Sequence, residues 1–276
     1  MENTASILIL VSGFAHAVVN AILKAGSDKM SRRALIDGFS ALILAPAVFF
    51  VPLPTHAWNW LIASAAVHGL YLFALIRSFE QADMSVAYPI ARGLAPMLAA
   101  AGAVAIFREP ISYAVVAGIL CIASGVMFIG ASHKMRRSAL LWAVLTGTCI
   151  AAYTVIDAQG VRAAPTALSY IVWTFLILGG GLGTFFAIWR GRAFFVAAAE
   201  QWRPGLAAGA LSIVTYGFAL FAFRLGATPR LAALRETSIL FGTAIAVIFL
   251  KERLTKLRLI GVLGIASGAM ILIAFR

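Results

Sequence analysis

RGLAPMLAAAGAVAIFREPISYAVVAGILCIASGVMFIGA, residues 92–131, and RETSILFGTAIAVIFLKERLTKLRLIGVLGIASGAMILIA, residues 235–274, align without a gap at a shift of 143 residues. Of the 40 positions 13 are identical, among them Arg92 with Arg235, Glu109 with Glu252, Gly118 with Gly261, and the IASG of 122–125 with that of 265–268. Apolar segments share a biased composition and match by chance more often than soluble ones. Here an arginine and a glutamate coincide as well as alanines and glycines, which points to duplication. A fainter echo at a shift of 134 sets GFAHAVVNAILKAG (13–26) on GTCIAAYTVIDAQG (147–160), matching Gly13, Ala17, Ile22 and Gly26 with Gly147, Ala151, Ile156 and Gly160. The chain thus divides into two repeats, 1–133 and 134–276.

What each repeat builds follows from composition. The 276 residues are 62% hydrophobic and 12% charged, with a mean hydropathy of +0.97. That is too apolar for a soluble domain and reads as a polytopic membrane protein. A bilayer core of about 30 Å takes about 20 apolar helical residues. Ten such stretches occur, at 5–23, 34–53, 58–76, 84–107, 111–131, 139–156, 167–189, 204–223, 228–250 and 257–275. They are continuous runs, whereas strands of a membrane barrel alternate every second residue. The sequence therefore predicts an all-α membrane protein of ten transmembrane helices in two five-helix repeats. An odd number of helices makes the second repeat enter the bilayer from the opposite side, so the repeats are inverted, as in many secondary transporters. The interruption at 190–203 reads as a surface loop, and the first segment, after MENTA, as a retained helix without a signal peptide's basic start.

The formal net charge of +12 is spread between the stretches, not gathered on one face, which argues against nucleic acid and for a topology signal. Loops after odd-numbered stretches hold 15 Lys and Arg residues; loops after even-numbered stretches and the termini hold Arg108, Arg162, Arg224, Arg230 and Arg276. The odd loops are expected in the cytoplasm, both termini outside, and the protein in the inner membrane.

Two arginines escape that count. Arg92 and Arg235 each lie about eight residues, or about 12 Å, into an apolar stretch. A charge at that depth is expected to face the bundle interior or water. Pro89 and Pro96 flank Arg92; each removes a backbone donor, so the fourth helix has a hinge with freed carbonyls around the arginine. One reading makes Arg92 and Arg235 a cationic pair for an anionic group of substrate. The other has them neutralised inside the protein, Arg235 by Glu236 or Asp157, with Glu236 alternatively serving the other repeat's arginine. Further candidate substrate contacts are His16 and Asn20, four apart on one face, His68 and Tyr71, three apart, and Tyr88, Tyr153 and Tyr216. Trp58, Trp60, Trp142, Trp189 and Trp202 lie near span ends, where aromatic residues line the membrane interface. In the last stretch of each repeat Gly118, Cys121 and Gly125, and Gly261, Gly264 and Gly268, have the small-residue spacing of closely packed helices.

Ten helices, two five-helix repeats, and a short polar turn with a glutamate before each repeat's last helix (FREPIS, 107–112; LKERLT, 250–255), followed by a Gly-rich helix carrying IASG, resemble the drug/metabolite transporter superfamily. The EamA branch, which includes bacterial amino-acid and metabolite exporters, is the most similar. The resemblance implies a central cavity lined by the first four helices of each half, with the fifth set back. It implies export of small metabolites, amino acids first and aromatic ones among them, with organic or phosphorylated anions as the alternative and a receptor or assembly factor as the alternative outside transport. Residues 5–23 hold no Asp or Glu, unlike the small multidrug exporters of the superfamily, so a bulky cationic substrate is disfavoured. No HExxH, no GxSxG and no paired intramembrane aspartates occur, and Cys121 and Cys149 have no metal spacing. The expectation is a monomer that is not an enzyme, without cofactor or metal, whose partners are a small-molecule substrate and the lipid bilayer.

Overall fold

The computed structural model describes residues 2–24, 29–81, 84–130, 136–248, 251 and 255–275, and every regular element among them is helical. In chain order these are α1 (Glu2–Lys24), α2 (Lys29–Leu44, closed by a 3₁₀ turn Ala45–Phe49), α3 (Trp58–Gln81), α4 (Met84–Phe107), α5 (Tyr113–Gly130) and α6 (Arg137–Ala163). Then come α7 (Ala167–Phe175, running through a π segment Leu176–Gly180 into Gly181–Arg190) and α8 (Arg192–Ser212, through a π segment Ile213–Gly217 into Phe218–Leu225). The chain ends with α9 (Thr228–Leu234, a 3₁₀ turn Arg235–Thr237, then Ser238–Ile248) and α10 (Lys256–Ala274). Among the described residues, eight helices are long and apolar enough to cross a membrane, all but α2 and α5. α5 is apolar but shorter, and α2 opens on the polar sequence KMSRRALID.

Several boundaries differ from the hydropathy pattern, and two of them bring charged residues into helices. Residues 190–203 are not a loop: Gly191, at φ +51, turns the chain, and α8 starts at Arg192. Its first turns are held by side chains that a hydropathy average cannot see. Phe194 buries against Ala34 and Leu35, and buried Gln201 accepts a hydrogen bond from Arg32 Nε at 2.8 Å. Likewise Arg32 and Arg33 are not loop cations but residues of α2, where Arg32 also donates to the Ile22 carbonyl at 2.7 Å and Arg33 pairs with Asp37 at 2.9 Å.

The two halves interlock. α1 packs on α8 and α9, while α6 packs on α3 and α4. Gly13 sits against the Ser238 backbone of α9, and Gly147, its counterpart at the shift of 134, against the Ala91 carbonyl of α4. In bilayers such close approach of small residues replaces the hydrophobic effect as the packing force.

α5 and α10 pack closely through their glycines. A Cβ at Gly125 would lie 2.6 Å from the Gly261 carbonyl oxygen, and one at Gly261 would lie 2.5 Å from that of Gly125. A Cβ at Gly268 would lie 2.6 Å from the Gly118 carbonyl oxygen, and one at Gly264 would lie 3.1 Å from the Gly125 Cα. The pairing of 118 with 268 and of 125 with 261 makes the two helices antiparallel. A shift of 143 carries each of these contacts onto the other.

The turn between α4 and α5 has a specific geometry. Arg108, at φ 55, donates its N–H to the Val104 carbonyl, and Glu109 N–H reaches the Ala103 carbonyl, each at 3.1 Å. This is the Schellman arrangement, with a left-handed residue ending the helix. Lys251, 143 residues on, has the same sign of φ, at 53; Glu252, the expected partner of Glu109, lies outside the described residues.

Candidate functional site

The interlocked halves bring α4, α6 and α9 around a narrow crevice lined by Arg92, Ala95, Pro96, Ala99, Ile150, Thr154, Ala232, Arg235 and Glu236. Its volume is about 10 Å³, enough for about one water. Arg92, Arg235 and Glu236 are 5%, 8% and 3% exposed, so their charges face each other and not a wide solvent space.

Their pairing crosses the repeats. Arg92 Nε lies 3.0 Å from Glu236 Oε2, an ion pair without hydrogen-bond alignment, and Arg92 Nη2 donates to Ser238 Oγ at 3.3 Å. Arg235 has no carboxylate within ion-pair distance and no hydrogen-bond partner for its Nε among the described residues. Its guanidinium rests over the Tyr216 ring, 5.1 Å from the centroid, a cation–π contact. Two cations and one anion leave the crevice with one unit of positive charge.

Local backbone supports this placement. Pro96 cannot donate to the carbonyl four residues back, which is that of Arg92, so α4 lacks one ladder bond beside the crevice while remaining helical through Pro89 and Pro96. In α9 the backbone tightens to a 3₁₀ turn at Arg235–Thr237, and in α8 Tyr216 sits within the π segment. Such departures inside long helices mark functional positions more often than chance.

An aromatic cluster adjoins the crevice. His68 stacks on Tyr153, centroids 4.0 Å apart, with Tyr71 at 6.4 Å and Tyr216 at 6.2 Å from His68, both edge-on. Tyr71 is 5.7 Å from Tyr153. His68 Nδ1 is satisfied by the Ser64 carbonyl at 2.9 Å. Tyr88 lies one turn before Arg92, its ring 5.9 Å from the Arg92 guanidinium carbon. His16 of α1 is half-buried, and its Nε2 has no partner among the described residues. Asn20 lies one turn further along α1, half-buried, and is not brought into a hydrogen bond with this group.

Four features escaped the sequence reading. Asp157 does not neutralise Arg235: fully buried, it accepts from the Tyr170 hydroxyl at 2.8 Å and from the Tyr216 hydroxyl. Arg33 lies within electrostatic reach of His16, Tyr71 and Tyr153, while its side chain is 45% exposed and paired with Asp37. Glu109 is a hub for the second half: its carboxylate accepts from Arg162 Nη1 at 2.6 Å, Gln159 Nε2 at 3.1 Å, and the Thr228 N–H and hydroxyl at 2.7 and 2.8 Å. It thereby caps the N-terminus of α9, where a negative charge is favoured. Arg162 also donates to the Phe223 and Gly226 carbonyls, closing this end of the bundle. Only the glutamate in the turn could have suggested that hub from sequence.

A larger cavity lies elsewhere. It is an apolar groove of about 500 Å³ between α2, α7 and the start of α8, with no charged residue in its lining. It offers nothing to orient a polar solute.

Residues 137–274, half of the chain, match the model of the EamA-like transporter family. The chain belongs to that family. As an EamA-like transporter it is a multi-pass membrane protein that moves small molecules. No curated protein matches it. A solved crystal structure covers 97% of this EamA-like chain, and is itself covered over 94% of its length, at a TM-score of 0.71 and 17% identity, a likeness of fold alone. Among the described residues no group of three or more His, Cys, Asp or Glu is placed to hold a metal ion.

Proposed function

We propose that this protein is a secondary transporter that exports small carboxylate-bearing metabolites, amino acids first and aromatic ones among them. It works as a monomer in a bacterial inner membrane, by alternating access of two inverted five-helix repeats. The observation that carries the reading is Arg235, a buried guanidinium in a central crevice with a ring face beneath it and no carboxylate at ion-pair distance among the described residues. A buried cation without an ion-pair partner is costly in a membrane protein unless function retains it. A substrate carboxylate supplies the missing partner, and guanidinium binds it bidentately. Arg92 stays engaged with Glu236 and sets the electrostatic frame. The aromatic cluster of His68, Tyr71, Tyr153 and Tyr216 lies beside the carboxylate position, and His16, Asn20 and Tyr88 extend the lining.

The crevice holds about one water, so substrate binds in a more open state. Pro89 and Pro96 let α4 flex around Arg92 in that change. The exchange of the α5–α10 glycine contacts under the 143-residue shift supports the inverted relation of the halves. The single unit of positive charge fits a monoanionic carboxylate better than a phosphate dianion, which ranks the phosphorylated-anion reading second.

Counterflow of radiolabelled amino acids in proteoliposomes tests the reading, with wild type compared to Arg235→Gln. Uptake by wild type that is lost in the variant supports it. Uptake that survives Arg235→Gln, or that only phosphorylated anions elicit, overturns it. Binding without flux would favour a receptor.

A further inference from the structure

We propose that Asp157 is a positioning residue for the anion site, holding Arg235 through Tyr216; the inference rests on the reading of Arg235 as the anion-binding group. Every other buried or half-buried acid described has a basic partner: Glu236 has Arg92, Glu109 has Arg162, and Asp37 has Arg33. Asp157, with no exposed surface, has two neutral tyrosine hydroxyls and no cation at ion-pair distance among the described residues. A lone carboxylate inside a membrane bundle is retained for what it holds, because an apolar residue there would pack at lower cost.

What it holds can be followed atom by atom. Oδ1 accepts from Tyr170 of α7 at 2.8 Å. The Tyr170 ring fits a slot left by Gly160, one turn on from Asp157, where a Cβ would come within 2.4 Å of it. The carboxylate is therefore fixed from one side, and its Oδ2 fixes Tyr216 from the other. Tyr216 rides on the π segment of α8, and its ring face is the support beneath the Arg235 guanidinium. Arg235 has no hydrogen-bonded anchor for its Nε among the described residues, so the orientation of this ring decides the orientation of the cation. Asp157 is not among the residues lining the crevice, so its contact with the site runs through Tyr216.

A group that places a binding residue without touching substrate alters affinity more than turnover. The test is amino-acid counterflow with wild type, Asp157→Asn, Tyr216→Phe, their double variant and Arg235→Gln, each checked for its unfolding temperature in detergent. Asp157→Asn and Tyr216→Phe are expected to raise the half-saturating concentration about tenfold while the maximal rate stays within about twofold. The double variant is expected to be no worse than the poorer single one, since both break the same link. Additive losses, or an unchanged half-saturating concentration in Tyr216→Phe, overturn the proposal. Tyr216→Phe keeps the ring and loses one hydroxyl, so it carries the test alone if Asp157→Asn fails to fold. Arg235→Gln separates the two levels. If it abolishes transport while the other variants behave as wild type, the relay is wrong and the anion site stands. If it transports normally, both readings fail.

Discussion

α4 and α9 carry an arginine at positions related by the 143-residue repeat, and the two guanidinium groups have opposite surroundings. Arg92 meets Glu236 and Ser238; Arg235 meets the face of Tyr216 and no carboxylate. The backbones differ as well, since α4 keeps its helix through Pro89 and Pro96 while α9 tightens to a 3₁₀ turn at its arginine. The two arginines occupy matching positions at the shift of 143, and the residue that follows each of them differs. The position of Glu236 in the second half is Gly93 in the first, so one acid serves the interface and pairs across it. In the proposed reading Arg92 is the structural arginine and Arg235 the one that meets a ligand.

That contrast can be broken or sharpened experimentally. The largest expected effect is on transport: Arg235→Gln lowers transport efficiency at least about 100-fold in counterflow, the cost of losing a buried charge contact to substrate. Its unfolding free energy stays within about 1 kcal/mol of wild type, because no internal partner is orphaned. Arg92→Gln gives the reverse pattern, a loss of about 3–5 kcal/mol of stability, because it strands the Glu236 carboxylate. The double variant Arg92→Gln with Glu236→Gln should recover most of that loss in a denaturation assay. If Arg92→Gln unfolds no more easily than Arg235→Gln, the division into structural and ligand-binding arginines is wrong.

The α5–α10 contact is next. Gly125→Ala places a Cβ against the Gly261 backbone, which cannot yield as a flexible side chain would, and is expected to cost about 1–3 kcal/mol in thermal unfolding. Gly180→Ala, with open space around its Cβ position, is the control. The smallest effect belongs to the exposed pair Arg77–Glu80 at 3.0 Å, where Arg77→Gln should change stability by about 0.5 kcal/mol or less.

Much of this was legible in the chain. The limits of α4 fall at Met84 and Phe107, where the apolar run begins and ends, because helix length in a membrane follows hydrophobic length. The glycines of α5 and α10 pack as their spacing implies. Other features were hidden. The first turns of α8, with Arg192, Glu200, Gln201 and Arg203, read as a polar interruption, yet they fold as helix because Phe194 and Gln201 find partners on α2. Arg32 and Arg33 counted as a topology signal, although one ties α2 to α1 and α8 and the other pairs with Asp37 within α2. Tyr216 was visible as a candidate, but its service to Asp157 and Arg235 together was not, since the three residues lie on three helices.

The sequence by itself determined that the chain is a helical membrane protein with internal self-similarity between 92–131 and 235–274, and with two charges deep in apolar stretches. These are consequences of composition, local period and repetition, which need no knowledge of neighbours. Tertiary structure alone decided that Glu236 pairs with Arg92 across 144 positions of the chain, that Asp157 serves a tyrosine and not an arginine, and that Glu109 caps α9. Partner choice among buried charges depends on the register and rotation of packed helices, and a displacement of one helical turn, about 5.4 Å, would exchange the partners without changing the hydropathy of any segment.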